Sequence, residues 1–221
     1  MLKTDMHLHS TFSDGINTPQ ELVEEAIRLG FVEIAITDHV RKSSDWLDLF
    51  SQEINRLKQK YSNKIILHSG IEAKVIDLKG AIDAQSSFFS KVDIVLGAFH
   101  RLPIGEGDFW RGNQIAEQKE RALGYWFNAM MKLIENENVM IVAHPTAILK
   151  RNGVVVPRDL KETIATKAAS YGKTFEVNTK YNVPDREFLD LLYHHGVNLV
   201  RGSDSHSVEE MRHFAFSPYV A

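Results

Sequence analysis

The stretch Glu33-Ile34-Ala35-Ile36-Thr37-Asp38-His39 is apolar through its middle and closes on a carboxylate and an imidazole. A strand with one wet face alternates apolar and polar residues, whereas this one offers water neither face, like the strands of a parallel sheet covered by helices. Working outward, apolar runs rich in β-branched residues recur at 3–8, 65–72, 92–99, 139–143, 174–178 and 198–201. The intervals read as helices. Thr18-Pro19-Gln20-Glu21 combines an N-cap hydroxyl, proline at the first helical position and a glutamate placed for a capping box, and Gly30 supplies the stop, so the spacing predicts a helix over 19–29. Further helices are expected over 45–61, 80–90, 113–136, 157–171, 184–195 and 207–213. Seven strand and helix units imply an α/β fold, a closed or nearly closed TIM-like (β/α)7 barrel slightly smaller than the eight-fold form. The competing architecture is a doubly wound open sheet. Closure is favoured because polar residues end nearly all the runs, and an open sheet would struggle to bring the ends of six strands to one point.

Length and composition restrict what such a barrel can do. A chain of 221 residues with 43% hydrophobic content has ample material for a buried core, and no linker or low-complexity tract divides it, so one domain over 1–221 is expected. With no cysteine, any metal must be held by imidazole and carboxylate. The first residues show no basic stretch followed by an apolar core, and no apolar run nears the roughly 20 residues of a membrane span, so a soluble, cytoplasmic protein with no membrane partner is expected. A net charge of -3, from 26 basic and 29 acidic residues, gives no basic footprint for nucleic acid. Small anionic substrates remain compatible with it.

The polar residues at the strand ends have the character of metal ligands. His7 and His9 lie two apart and so face the same way into the barrel mouth. Asp14 follows in the loop Ser13-Asp14-Gly15, where glycine permits a tight turn that brings the carboxylate back over the mouth. His39, Glu72, His100 and His144 each close one strand, and Gly202-Ser203-Asp204-Ser205-His206 offers two more at a spacing of two. A lone histidine at a strand end is ordinarily structural or exposed. Six of the ten histidines gathered at strand ends defeat that explanation. The other four read differently: His68 shares a face with Glu72 but lies about 13 Å lower at roughly 3.3 Å per residue, and is expected in the core. His194 and His195 close a helix before Gly196, and His213 lies in the terminal helix.

In order and spacing, His7-x-His9 with Ser13-Asp14-Gly15, Thr37-Asp38-His39, Gly70-Ile71-Glu72, His100, Ala143-His144-Pro145 and Gly202-Ser203-Asp204-Ser205-His206 closely resembles the PHP (polymerase and histidinol phosphatase) superfamily over nearly the whole chain. That resemblance implies a distorted seven-stranded barrel and up to three divalent ions. His7, His9, Glu72 and Asp204 would hold the first; Glu72 would bridge to a second on His100 and His144; Asp14, His39 and His206 would hold the third. Some members carry histidine at the place of Asp14, which bears on metal preference. Zinc, iron and manganese all suit such ligands. Three divalent ions against three carboxylates leave a formal charge of about +3, an attractor for phosphate, so phosphoester hydrolysis by a metal-bound hydroxide is expected, with no protein nucleophile.

Substrate contacts are sought among cations on the catalytic side. Arg41, Lys42, Arg101, Arg111, Arg151 and Lys180 lie in the relevant loops, with Arg101 preferred because it adjoins His100 and opens a long loop. Asn178 ends the sixth strand and is a candidate to orient substrate or water, and Asp38 either orients an imidazole or caps a turn. Arg201 falls on the face opposite Asp204. In the loop over 101–113, Phe109 and Trp110 either form a mobile lid or pack on the barrel, the second being favoured. A small phosphorylated substrate and a phosphomonoesterase of the histidinol phosphatase kind are the leading expectation. The alternatives are a phosphodiesterase or exonuclease on nucleotides or short oligonucleotides, a non-catalytic metal-binding module, and an amidohydrolase, for which no lysine is well placed to be carboxylated.

Overall fold

A computed structural model describes residues 3–105, 107–111 and 113–215 of the chain; both ends of the expected 1–221 span, with Glu106 and Gly112, lie outside the described residues. In chain order the elements are β1 (Thr4–Leu8), α1 (Pro19–Arg28), β2 (Glu33–Val40), α2 (Leu47–Lys60), β3 (Ile66–Lys74), a 3-10 turn (Ser86–Lys91), β4 (Ile94–Ala98), β5 (Pro103–Gly105), β6 (Asp108–Phe109), α3 (Gln114–Glu117), α4 (Lys119–Glu135), β7 (Ile141–Ala143), α5 (Ala147–Arg151), α6 (Arg158–Ser170), β8 (Thr174–Asn178), α7 (Arg186–His194), β9 (Asn198–Gly202) and α8 (Val208–Ala215).

Seven of these strands form one parallel sheet in the order β1-β2-β3-β4-β7-β8-β9, and each neighbour in space is the next strand of the sheet in sequence. A single parallel bridge between Leu8 and Ser205 brings the two edges together. At that seam side chains replace much of the missing ladder. Asp5 accepts a hydrogen bond from the Ser203 amide (2.9 Å), while the Asp204 amide donates to the His7 carbonyl and the His9 amide to the Ser205 carbonyl, each at 2.9 Å. The expected distorted barrel is therefore what forms. No helix of the described residues is long and apolar enough to cross a membrane.

The outer faces of the strands meet the helices in one extended core that includes Ile34, Ile36, Ile71, Val95, Phe99, Phe175 and Trp126. The helix that opens this shell starts as its sequence requires: the Thr18 side chain accepts from the Glu21 amide and the Glu21 carboxylate from the Thr18 amide (2.8 Å). Three local expectations fail. No α-helix spans 80–90, because the Asp77 carboxylate accepts from the Lys79 and Ala81 amides in a turn, and Gly80, at φ +75°, is pressed against the backbone of α4 where no Cβ fits. The helix expected over 113–136 is two, broken at Gln118 (φ -126°, ψ 53°). His68 is only half-buried and pairs with Glu33 on the neighbouring strand at 2.7 Å, so it is not a core residue.

Candidate metal centre

Glu72, at the end of β3, is the hub of the barrel mouth. Its Oε2 lies 2.8 Å from His39 Nδ1, 3.4 Å from His7 Nε2 and 3.6 Å from His9 Nε2, and its Oε1 lies 2.8 Å from His144 Nε2 and 3.1 Å from His100 Nε2. Asp204 Oδ1 stands 3.2 Å from His9 Nε2 and 3.7 Å from His206 Nδ1. Asp14 reaches His39 (3.6 Å) and His206 (3.4 Å) from the other side. All nine candidate ligands are thus brought to one place. Their donor atoms draw three overlapping groups: His7, His9 and Asp204; His39, Glu72 and His100; and His9, Asp14, His39 and His206. His9 and His39 each belong to two, whereas the resemblance shares only Glu72.

Whether these residues suit a metal is answered by what they lack. His7 Nε2, both ring nitrogens of His9, Glu72 Oε2 and His144 Nδ1 are buried without a hydrogen-bond partner. Leaving one such group unsatisfied costs on the order of 1–3 kcal/mol, and folded chains rarely tolerate several at one point. Cations would satisfy them, and the donor set of imidazole and carboxylate suits divalent ions. Electrostatics agree. Burial acts to raise the Glu72 carboxyl, but the imidazoles of His100 and His7 overcome it and hold Glu72 well below the usual carboxylate range. Burial likewise acts to raise Asp204, but the close approach of His9 (3.2 Å) and the charge of His7 hold it low. Burial pushes His9 down to about 4, keeping its ring neutral and free to ligate.

Backbone geometry turns two of these side chains inward. His144 (φ 28°) and Asp204 (φ 52°) are two of the three non-glycine residues with positive φ among the described residues, the third being Asn182. Regular alternation would put Ala143 and not His144 on the inner face, so the strained turn aims the imidazole at Glu72. Gly15 acts by close approach, since a Cβ there would collide with the His9 carbonyl. Asp38 proves to be a loop anchor and touches no imidazole. It accepts from the Ser10 amide (2.8 Å) and from the hydroxyls of Ser10 and Ser13 (2.6 Å each), fixing the loop that carries Asp14.

One functional residue escaped the sequence reading. Glu176, in the middle of β8, is 1% exposed; its Oε1 lies 2.9 Å from His7 Nδ1 and accepts from the Asn178 side-chain Nδ2 at 2.9 Å, while its Oε2 accepts from the His144 backbone amide. It thereby fixes the ring orientation of one candidate ligand and the turn that carries another. Gly202 leaves it room, for a Cβ there would occupy the carboxylate's place. The available signal was an acidic residue inside an apolar run, on the same face as Asn178. Asn178 itself is engaged at both ends, donating to Glu176 and accepting from the Tyr181 amide (3.0 Å), which makes it a scaffold residue.

The cations separate into distinct places. Lys180 Nζ donates to the Asp204 carbonyl (2.9 Å) and lies 3.3 Å from His206 Nδ1, while Arg151 stacks over Tyr181, whose ring sits 5.5 Å from that of His144. Arg41 and Arg101 line a cleft of about 840 Å³ that opens beside His39, Glu72 and His100. Arg111 is exposed and does not line that cleft. Trp110 is buried against Tyr125, and Phe109 lies under Lys74, so the loop aromatics pack on the barrel. Arg201 stacks on Phe214 of α8, facing away from Asp204.

A mostly parallel barrel with a carboxylate hub among imidazoles at the strand ends defines a metal-dependent hydrolase. Known proteins make this specific. The PHP domain matches residues 5–180, and a histidinol-phosphatase of Lactococcus lactis is 30% identical over 93% of this chain and 85% of its own length. The chain belongs to the PHP domain family and is a metal-dependent phosphoesterase. A DNA polymerase/3'-5' exonuclease PolX of Bacillus subtilis is 28% identical over 94% of this chain, which spans only 35% of that longer protein. Among solved structures, the Lactococcus lactis histidinol phosphate phosphatase, complexed with zinc, L-histidinol and phosphate, superposes with a TM-score of 0.67 at 24% identity, covering 96% of this chain and 92% of that one.

Proposed function

We propose that the protein is a phosphomonoesterase of the histidinol phosphatase kind, acting on a small phosphorylated metabolite with up to three divalent ions at the barrel mouth. In this reading His7, His9, Glu72 and Asp204 hold one ion, Glu72 is shared with a second on His100 and His144, and Asp14, His39 and His206 hold a third. The observation that carries it is the set of buried, unpartnered imidazole nitrogens that converge on Glu72 and its own unpartnered Oε2. Bound ions would polarise the phosphoryl group and make water a competent nucleophile near neutral pH; zinc, iron and manganese are the candidates.

The chain's own residues do the rest. Glu176 holds His7 in one tautomer and orientation, and Asp38 holds the Asp14 loop over the mouth. Lys180, hydrogen-bonded to the Asp204 carbonyl, presents a cation at the rim, where a phosphate docked on the centre would meet it. The relatives support a monoester, because the histidinol-phosphatase match extends over 85% of that protein. The PolX match supports diester cleavage as the second reading. Hydrolysis of p-nitrophenyl phosphate against its bis-ester, with protein loaded separately with zinc, manganese or iron, decides between them. Preference for the monoester is expected, and preference for the bis-ester would overturn the proposal.

A further inference from the structure

Beyond the candidate ligands, the cleft beside His39 and His100 contains three cations and one carboxylate with different degrees of engagement. Lys74 lies 3.8 Å from Asp83, and its Nζ stands 4.8 Å over the Phe109 ring. Asp83 also accepts from the Lys42 amide at 3.1 Å. Those two charges offset each other. Arg41 and Arg101 have no such partner: neither guanidinium makes an ion pair, a hydrogen bond or a ring contact with the described residues. Each is anchored close to the centre, Arg41 two residues after His39 and Arg101 immediately after His100. The cleft beside the centre thus carries two positive charges that no partner offsets. Part of its remaining wall is aromatic, with Phe12 packed on Trp46 at 5.7 Å between ring centroids.

A phosphate at the metal centre already has a cation outside this cleft, Lys180, within 3.9 Å of Asp204. The paired guanidiniums therefore face the part of the substrate that projects from the scissile phosphate. Guanidinium groups bind carboxylates and phosphates through parallel hydrogen bonds and repel ammonium groups. We propose that the physiological substrate is a phosphate monoester bearing a second anionic group, a carboxylate or another phosphate, that Arg41 and Arg101 grip in this cleft. This rests on the monoesterase reading above and narrows it. It also sets the protein apart from an enzyme for histidinol phosphate, whose far end is cationic.

The test measures kcat/KM of the metal-loaded protein for four esters: glycerol 3-phosphate, 3-phosphoglycerate, fructose 1,6-bisphosphate and phosphoethanolamine. It is repeated with Arg41→Ala, Arg101→Ala and the charge-keeping Arg41→Lys. The expected order places an ester with a second anion at least about tenfold above glycerol 3-phosphate, with phosphoethanolamine last. Each alanine variant should reduce the advantage of the second anion by about tenfold or more, mostly through KM, and Arg41→Lys should restore part of it. Which of the two anionic esters leads identifies the second group as carboxylate or phosphate. Equal losses on glycerol 3-phosphate and on both anionic esters would place the arginines on the scissile phosphate and overturn the inference. So would phosphoethanolamine as the best of the four. Failure of all four while a diester is cleaved would instead sink the monoesterase reading itself.

Discussion

Along β4 the residues on the face that ends in His100 are Ile94, Leu96 and Ala98, which pack with Met6, Ala35, Ile141 and Ala143 in a cluster no member of which is more than 8% exposed. One or two positions further along the strands, that apolar lining gives way to Glu72, His100 and His144, and unpartnered polar atoms take the place of hydrocarbon contacts. The lining of the lower barrel is hydrocarbon packed on hydrocarbon. The mouth breaks the rules of a stable interior, with buried charge, unsatisfied nitrogens and two strained backbone turns. Such violations persist where surrounding structure enforces them, and they concentrate where function requires a preorganised site. Stability and chemistry are thus separated by height along the same seven strands.

The largest expected effect breaks the upper region alone. His9→Ala removes a ring stacked between His39 and His206, each at 4.3 Å. Loss of a ligand shared by two donor groups should forfeit several kcal/mol of transition-state stabilisation, a fall in kcat/KM of about 10³-fold. The melting temperature of metal-free protein should shift by no more than about 3 °C, because lost packing is offset by removing two buried unpartnered nitrogens. Unchanged turnover would show that His9 is no ligand. Leu96→Ala is the converse experiment in the lower region. A fully buried leucine truncated there should cost about 3 kcal/mol, lowering the melting temperature by roughly 6–12 °C, while kcat per folded molecule stays at the wild-type value.

The same division explains what could be read from sequence. Buried parallel strands must be apolar on both faces, so all seven were legible, and 174–178 matches β8 at both ends. The candidate ligands were legible because a barrel gathers its strand ends at one rim, which makes scattered histidines a pattern. What stayed hidden depends on tertiary contact. The break at 80–90 is imposed by Gly80 meeting α4, and the inward turn of His144 by a backbone angle that no residue pattern announces. Glu176 was hidden because its meaning depends on His7, which is distant in sequence and adjacent only once the barrel closes.

Glu176→Gln sharpens the comparison at an intermediate magnitude. The amide keeps the volume but offers one acceptor oxygen where the carboxylate offers two, so His7 Nδ1 and the His144 amide can no longer both be served. Metal affinity should fall by about 10–100-fold, read by competition with a chromophoric chelator. An unchanged dissociation constant would reduce Glu176 to a packing residue.

The smallest effect belongs to the helical shell, far from the strand ends. Glu25 of α1 accepts from Arg28 at 2.8 Å and from Arg212 of α8 at 2.6 Å, tying the first and last helices together. The hydrogen bonds from those two guanidiniums outweigh burial and hold its carboxyl down at about 2, against an ordinary 4.5. Because the folded-state value is depressed, its contribution is fully present above about pH 4.5 and is lost as pH falls toward 2. Both arginines are about half exposed, so solvent screening limits that contribution to about 1 kcal/mol. Glu25→Gln should therefore lower the melting temperature by roughly 2–4 °C at pH 7, and the gap from wild type should close as the pH is lowered through this window. A gap that persisted at pH 2 would trace the loss to packing between α1 and α8. Turnover at pH 7 should not change, because α8 meets the mouth through Glu210, which accepts from the His206 amide, and not through Arg212 or its partner Glu25.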